Sequence, residues 1–351
     1  MLALTPPELV DLLITLPADR TPFIWGPPGI GKSALVREAA DFLELPCVTL
    51  LGTQIAPEDL IGVPRIRPMD SGGFATEFCP PKAILRTEPF LFFVDELNSA
   101  VPDVQKAFYS IILDRRLGDY VLPPGSRVVG AGNRVEDRAL VRPMATALSN
   151  RMVHVALTAD AKAWLAWGAS NGIHPLVLAF IRARPDRLFE LPPTDGTPAY
   201  PTPRAWHMLS DIVASVGEHL WPASAAGSVG DRAGAEWTAF AKRAVEAPSL
   251  EAIASGSAAV PRDPELIYFL GASALSRLGS SAAAEGELAA KVVAALGAVS
   301  KEVAVWTVDS ALGRKQRTPA LATFEDYLRG SGSQVLVDVL RLGRFAREGA
   351  R

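Results

Sequence analysis

The chain has 351 residues, 49% of them hydrophobic and 21% charged, the make-up of an ordinary globular protein long enough for two domains. A formal net charge of −3 gives no global basic field for gripping nucleic acid. The two cysteines, Cys47 and Cys79, lack metal-type spacing and are too few for a disulfide framework, so both are expected as small core or near-core residues.

In chain order, the first half alternates helical patterns with short apolar runs. Helices are expected at 7–16, 32–43, 102–114 and 161–170, and strands at 23–25, 47–51, 90–94, 127–131 and 152–156. That alternation points to an α/β domain with a parallel sheet covered by helices. Met69 to Gly73 is a turn-rich spot inside the long connection between the second and third strands. Glu8 and Asp11 near the start do not resemble a signal peptide, and no run of about 18 apolar residues suggests a membrane span. Cytoplasm is the expected location.

From about Leu157 the texture becomes helical, with breaks. Residues 191–203 hold five prolines and read as a loop or linker, while 222–235 and 254–260, rich in Ala, Ser and Gly, read as loops or mobile connections. Residues 288–299 are apolar nearly all round and suit a buried helix, and 334–345 repeat apolar residues at helical spacing. The basic residues Arg341, Arg344, Arg347 and Arg351 suit a solvated face.

The chemistry concentrates at Gly26-Pro27-Pro28-Gly29-Ile30-Gly31-Lys32-Ser33, which fits G-x-x-x-x-G-K-[ST] between a buried strand and a helix. Glycines let the backbone wrap its N–H groups around a polyphosphate at the helix start. Lys32 would reach the β- and γ-phosphates, and the Ser33 hydroxyl would sit on Mg²⁺, so ATP with Mg²⁺ is the expected cofactor.

Phe90-Leu91-Phe92-Phe93-Val94-Asp95-Glu96 is an apolar strand ending in two carboxylates, the Walker B form. Asp95 is placed to hold Mg²⁺ and Glu96 to activate the attacking water. The strand at 127–131 leads to Asn133, suited to the γ-phosphate or the lytic water, or alternatively to a plain turn role after Gly132. Arg151, before the last strand, suits a trans-acting guanidinium that serves a neighbouring subunit, with Arg134, Arg138 and Arg142 as competitors. Thr202-Pro203-Arg204 reads as a capped helix start from which Arg204 would reach back to the nucleotide. His154, His174, His207 and His219 lack metal-ligand spacing, and Trp164 and Trp167 suit packing.

This ordered set resembles the AAA+ ATPases, and most closely their MoxR-like group. Gly26–Ser33 is similar to the group's GPPG-x-GK[ST], and Asp95-Glu96-Leu97-Asn98-Ser99-Ala100 to its D-E-[IL]-N-R-A, with Ser99 in place of the usual arginine. Thr53 to Gly62 resembles the T-x-x-D-L-x-G segment, which makes the residues from Val63 to Lys82 an inserted hairpin. The resemblance also makes Asn133 the sensor 1 residue, Arg151 the arginine finger and Arg204 the sensor 2 arginine.

It implies a P-loop αβα core with a five-stranded parallel sheet at 1–157 and an α-helical lid at 158–250, while 251–351 is expected as additional C-terminal helices to which the resemblance gives no role. It further implies a homo-hexameric ring that remodels a protein client, often with a von Willebrand factor A domain protein as partner. A nucleic-acid motor is the main competitor, motivated by Arg65, Arg67 and Lys82 in the insert. A non-hydrolysing switch is the third reading, disfavoured by the intact Asp95–Glu96 pair.

Overall fold

A computed structural model of the protein describes residues 1–351 except 80, 81, 83, 138–143, 193, 195, 315 and 331–351. The chain divides into two units, Met1–Asp160 with Pro193–Asp195, and Ala161–Pro192 with Gly196–Arg351.

The first unit is organised by strands whose side chains alternate between two apolar layers. Its elements are β1 (Ala3–Leu4), α1 (Pro6–Thr15), β2 (Thr21–Trp25), α2 (Lys32–Phe42), β3 (Cys47–Leu51), α3 (Pro57–Ile61), β4 (Val63–Pro68), β5 (Phe74–Cys79), β6 (Leu91–Asp95), α4 (Pro102–Asp114), β7 (Arg116–Leu117), β8 (Tyr120–Val121), β9 (Arg127–Gly132), α5 (Thr146–Ser149) and β10 (Met152–Leu157). Six of the strands form one sheet in the order β1-β10-β2-β9-β6-β3, and every pairing in it is parallel.

Phe23, Phe92, Val94 and Val128 point to one face, against Val104, Phe108 and Ile111 of α4. Ile24, Leu91, Phe93 and Val129 point to the other, against Leu9 and Leu13 of α1 and Val36 and Ala39 of α2. The two-residue period of a strand thus feeds both layers, which is why these runs read as continuously apolar. At the entry of β9 the Arg127 guanidinium donates to the carbonyls of Leu13 (3.1 Å), Ile14 (3.2 Å) and Leu16 (2.6 Å). It thereby satisfies carbonyls that the end of α1 leaves without intrahelical partners.

All five expected strands are present, and β1 adds a sixth of two residues, too short to leave a periodic signal. The connection from β3 to β6 carries β4 and β5 as an antiparallel hairpin, with Val63 opposite Cys79 and Pro68 opposite Phe74. Its turn at Met69–Gly73 is closed by Met69 N–H donating to the Gly73 carbonyl at 3.1 Å. Cys47 is half-buried and packs against the layer of α1 and α2, near-core as expected, whereas Cys79 is exposed at the end of the two-stranded hairpin.

The second unit is helical in its described residues: α6 (Ala161–Ser170), α7 (Pro175–Ala183), α8 (Pro203–Ser215), α9 (Trp221–Val229), α10 (Asp231–Val245), α11 (Leu250–Ala254), α12 (Pro264–Arg277), α13 (Ala283–Val299), α14 (Lys301–Leu312) and α15 (Pro319–Gly330). Trp206, Trp237, Phe180 and Phe240 are fully buried. The Trp206 indole N–H donates to the Arg187 carbonyl at 2.8 Å, while the Arg187 guanidinium forks onto Glu236 at 2.7 and 3.0 Å. A further apolar cluster joins α11 to α15, with Leu275, Val293, Leu296, Val308 and Phe324 at its centre.

Residues 222–235, expected as a loop, are instead the body of α9 and the start of α10, broken at Gly230 with φ 84°. The small residues here are packing devices. A Cβ on Gly234 would lie 2.7 Å from the Ala226 nitrogen, so only glycine lets α10 lie this close to α9. Within 254–260, the stretch after α11 is irregular as expected, and 288–299 lies inside the buried helix α13. The helix expected at 334–345 and Arg341, Arg344, Arg347 and Arg351 lie outside the described residues. Among the described residues no helix is long and apolar enough to cross a membrane.

Two expectations follow. Gly234→Val should cost roughly 1–3 kcal/mol, read as a lower urea midpoint, because two backbones must separate. The other concerns His174, which caps α7 by accepting from Leu176 N–H at 3.3 Å, and whose pKa burial pushes down. A lowered folded pKa means that the unfolded chain binds the proton more readily, so this stability is present above about pH 6.5 and lost as pH falls through the folded value. His174→Asn keeps a capping oxygen without a titrating group. Its thermal midpoint should therefore fall less than that of the parent chain between pH 7 and pH 5.

Candidate nucleotide site

Parallel strands deliver their C-terminal ends to one rim of the sheet, and the expected site residues of the first unit gather there except Arg151, which precedes the first residue of β10 and so stands at the strands' opposite ends. Gly26–Gly31 connects β2 to α2. Gly29 and Gly31 have φ of 76° and 107°, and Gly31 is the N-cap of α2. Gly26 N–H donates to the Gly132 carbonyl at 3.3 Å, which ties the loop to the end of β9. Ile30 is buried in the layer under α1 and α2 and anchors the loop from below.

Lys32, only 8% exposed, turns back over the loop. Its ammonium donates to the carbonyls of Gly26 (2.5 Å) and Pro27 (3.1 Å) and to Asn133 Oδ1 (2.8 Å). The Ser33 hydroxyl donates to Asp95 Oδ2 at 2.6 Å. Lys32, Ser33, Asp95 and Asn133, called from three separate stretches of sequence, are therefore neighbours.

Glu96 adopts the left-handed region, φ 54° and ψ 31°, an uncommon conformation for a residue with a side chain. Its Oε2 accepts from the Thr53 hydroxyl at 3.0 Å, and its N–H donates to Asp95 Oδ1 at 3.0 Å. Two residues later Asn98, 2% exposed, donates from Nδ2 to the Asn133 carbonyl at 2.8 Å. Thr53 and Asn98 stand inside recognised segments, yet nothing in their spacing assigned them a task.

Arg151 is exposed. One guanidinium nitrogen donates to the Ala147 carbonyl at 2.7 Å, and the carbon lies 4.8 Å from the centre of the Tyr109 ring of α4. Among its competitors, Arg134 is committed locally: it pairs with Asp137 at 2.9 Å and Glu136 at 2.7 Å. Arg138 and Arg142 lie outside the described residues. His154 is fully engaged. Its Nδ1 accepts from Trp25 Nε1 at 2.9 Å, leaving Nε2 to donate to the Ser149 carbonyl at 2.7 Å. It thus pins the segment that leads into Arg151 to the strand that feeds the glycine loop.

Arg204 belongs to the second unit, exposed at the start of α8, where Thr202 accepts from Ala205 N–H at 3.0 Å and Pro203 opens the first turn. Trp164 and Trp167 pack against each other within α6, their rings tilted by 41° with centroids 6.4 Å apart.

The donor set suits Mg²⁺ and a polyphosphate. Among the described residues no group of three His, Cys, Asp or Glu is arranged to hold a metal. Mg²⁺ needs no such cage, since one carboxylate with a hydroxyl, phosphate oxygens and water completes its shell. Asp95 and Ser33 are such a pair.

Residues 22–159 match the AAA domain of the dynein-related subfamily. No curated protein sequence matches the chain. Among solved structures, a candidate ATPase from Cytophaga hutchinsonii ATCC 33406 is 18% identical with a TM-score of 0.35, over 50% of this chain and 62% of that one. NtrX from Brucella abortus is 17% identical with a TM-score of 0.34, over 51% of this chain and 45% of that one. The Thermotoga maritima RuvB Holliday junction branch migration motor is 15% identical with a TM-score of 0.38, over 72% of this chain and 80% of that one. The chain thus spans less than two thirds of the length of the first two.

Gly132 is the steric pivot of the site. A Cβ there would lie 2.1 Å from Asn98 Oδ1 and 2.9 Å from Phe23 Cζ. Gly132→Ala should lower stability by roughly 1–3 kcal/mol in chemical denaturation. Within residues 22–159, then, the chain is similar to the AAA domain of the dynein-related subfamily, and the fold is an AAA+ P-loop αβα core followed by many C-terminal helices.

Proposed function

We propose that the chain binds ATP with Mg²⁺ at Gly26–Ser33 and hydrolyses it. The observation that carries this reading is the joint placement of Lys32 on Asn133 at 2.8 Å and of Ser33 on Asp95 at 2.6 Å. A buried ammonium that donates to the neutral oxygens of Gly26, Pro27 and Asn133 can exchange them for phosphate oxygens, which make stronger charge-assisted bonds. Bound Mg²⁺ would neutralise charge on the phosphates.

In this reading the backbone of Gly26, Pro27, Pro28, Gly29, Ile30 and Gly31 cradles the phosphates, and Lys32 binds them. Ser33 and Asp95 hold the metal. Glu96 orients the attacking water and takes its proton, and Asn133 fixes the water or the γ-phosphate from the end of β9. Glu96 begins this task held by Thr53, so its carboxylate has a defined starting direction.

We further propose that the protein belongs to the MoxR-like group and works as a homo-hexameric ring on a protein client, with a von Willebrand factor A domain protein as the partner expected from that resemblance. Support for a ring comes from Arg151. It is exposed, and its contacts are Ala147 and Tyr109 rather than the loop of its own subunit. An arginine so held suits the phosphates of a neighbour. Arg204, in the helical unit, is assigned the sensor 2 role that the same resemblance implies.

Glu96→Gln should slow steady-state phosphate release by about 10²–10⁴-fold, the usual worth of a positioned general base, with ATP affinity kept. Mass photometry of that variant with saturating ATP and Mg²⁺ should show a shift from monomer to about six times its mass. A wild-type chain that binds no ATP defeats the hydrolase reading, and an ATP-loaded monomer defeats the ring. Turnover stimulated by single-stranded DNA and steeply salt-dependent would move the client from protein to nucleic acid.

A further inference from the structure

Asn98 is the least exposed polar side chain among these rim residues, and neither of the roles assigned above uses it. It sits at 2% exposure in the turn of 3₁₀ helix, Leu97–Ser99, that follows Glu96. Its Nδ2 donates to the Asn133 carbonyl at 2.8 Å, and its Oδ1 is buried without a hydrogen-bond partner. A buried, unpartnered carbonyl oxygen is costly, so a side chain chosen for packing alone would be apolar here. Leucine has nearly the same shape and no such penalty.

The chain on the other side has been cut back to receive this carboxamide. The Cβ that Gly132 lacks would fall 2.1 Å from Asn98 Oδ1 and 2.7 Å from its Cγ. Asn133, the next residue, is therefore held twice. Asn98 fixes its main chain, and Lys32 donates to its side-chain Oδ1 at 2.8 Å.

We propose that Asn98 is the positioning residue for Asn133: it locks the main chain at the end of β9 to the turn that carries Glu96, so that the two groups acting on the attacking water keep a fixed separation. This rests on the ATPase reading above. Asn98 touches neither nucleotide nor water in this role and acts only through Asn133. The cost of its loss should therefore fall on the chemical step and spare ATP binding.

The test uses the full chain with Mg²⁺, titrating a fluorescent ATP analogue for affinity and measuring single-turnover phosphate release at saturating ATP. Asn98→Leu keeps the volume and cannot donate; Asn98→Asp keeps the shape and loses the donor when ionised. Each should slow phosphate release about tenfold while affinity stays within about threefold, because an oriented hydrogen bond is lost but the phosphate cradle is not. In an Asn133→Ala background, either substitution should cost nothing further, since there is no longer a carboxamide to position.

Release within about twofold of wild type in a variant that melts like wild type overturns the proposal, as that change is smaller than one oriented hydrogen bond. So does a loss that persists in full on top of Asn133→Ala, or a fall in affinity matching the fall in rate. If Asn98→Leu does not fold, Asn98→Asp decides alone. A wild-type chain without phosphate release, or a Glu96→Gln variant as fast as wild type, sinks the ATPase reading and this proposal together, whereas the other failures sink this one only.

Discussion

A buried ammonium must be surrounded by oxygen, and most of the first unit's rim can be read as the answer to that demand. Lys32 is the third residue after Gly29's left-handed turn and the first of α2, so its side chain starts at a helix N-terminus, where the dipole disfavours a cation. Two carbonyls of its own loop and the Asn133 carboxamide offset this. For those three oxygens to converge, β2 and β9 must be adjacent and parallel, and Gly26 must be hydrogen-bonded to Gly132. The sheet order is thus tied to the needs of one charged group. An anion would relieve the same demand more completely, which links the stability of the loop to its proposed ligand.

Much of this was legible in the sequence because the first unit obeys local rules. Strands buried on both faces are uninterrupted apolar runs, and β3 and α4 begin and end where the pattern says. Lys32, Ser33, Asp95 and Asn133 were legible as well, since each stands at the end of such a run. What the sequence hid are the groups whose importance comes from a long-range contact. Thr53 meets Glu96 across 43 positions, Asn98 meets Asn133 across 35, and His154 meets Trp25 across 129. No periodicity reports such pairs. Arg134 shows the converse: a plausible free guanidinium by position, it is consumed by Asp137 three residues on.

The second unit was less legible for a different reason. Its helices are held by small residues as much as by large ones, so composition points the wrong way. Alanine and glycine between 222 and 235 look like a flexible connection when counted, yet α10 uses Gly234 to approach α9 and then buries Trp237 and Phe240 on the same face. Each of these is three positions from the next, a spacing that keeps neighbours on one side of a helix. An apolar stripe that begins with a glycine has a low apolar count in its first turn, and the helix start is lost to inspection.

Glu96 joins these strands of reasoning. In an unbroken strand, Asp95 and Glu96 would point to opposite faces of the sheet, one into each apolar layer. That would bury a carboxylate among Phe, Leu and Val side chains. The left-handed conformation at Glu96 stops the alternation, at a cost on the order of 1–2 kcal/mol for a residue with a Cβ. Three hydrogen bonds hold the turn against that cost: Ser99 N–H to the Glu96 carbonyl at 2.9 Å, Glu96 N–H to Asp95 Oδ1 at 3.0 Å, and the Thr53 hydroxyl to Glu96 Oε2 at 3.0 Å. The two acids consequently face different partners, Asp95 the Ser33 hydroxyl and Glu96 the Thr53 hydroxyl. Adjacent carboxylates pointing the same way would compete for one cation and raise each other's affinity for protons. Separated by a strained turn, the two suit the different tasks proposed for them, Asp95 on a metal and Glu96 on water.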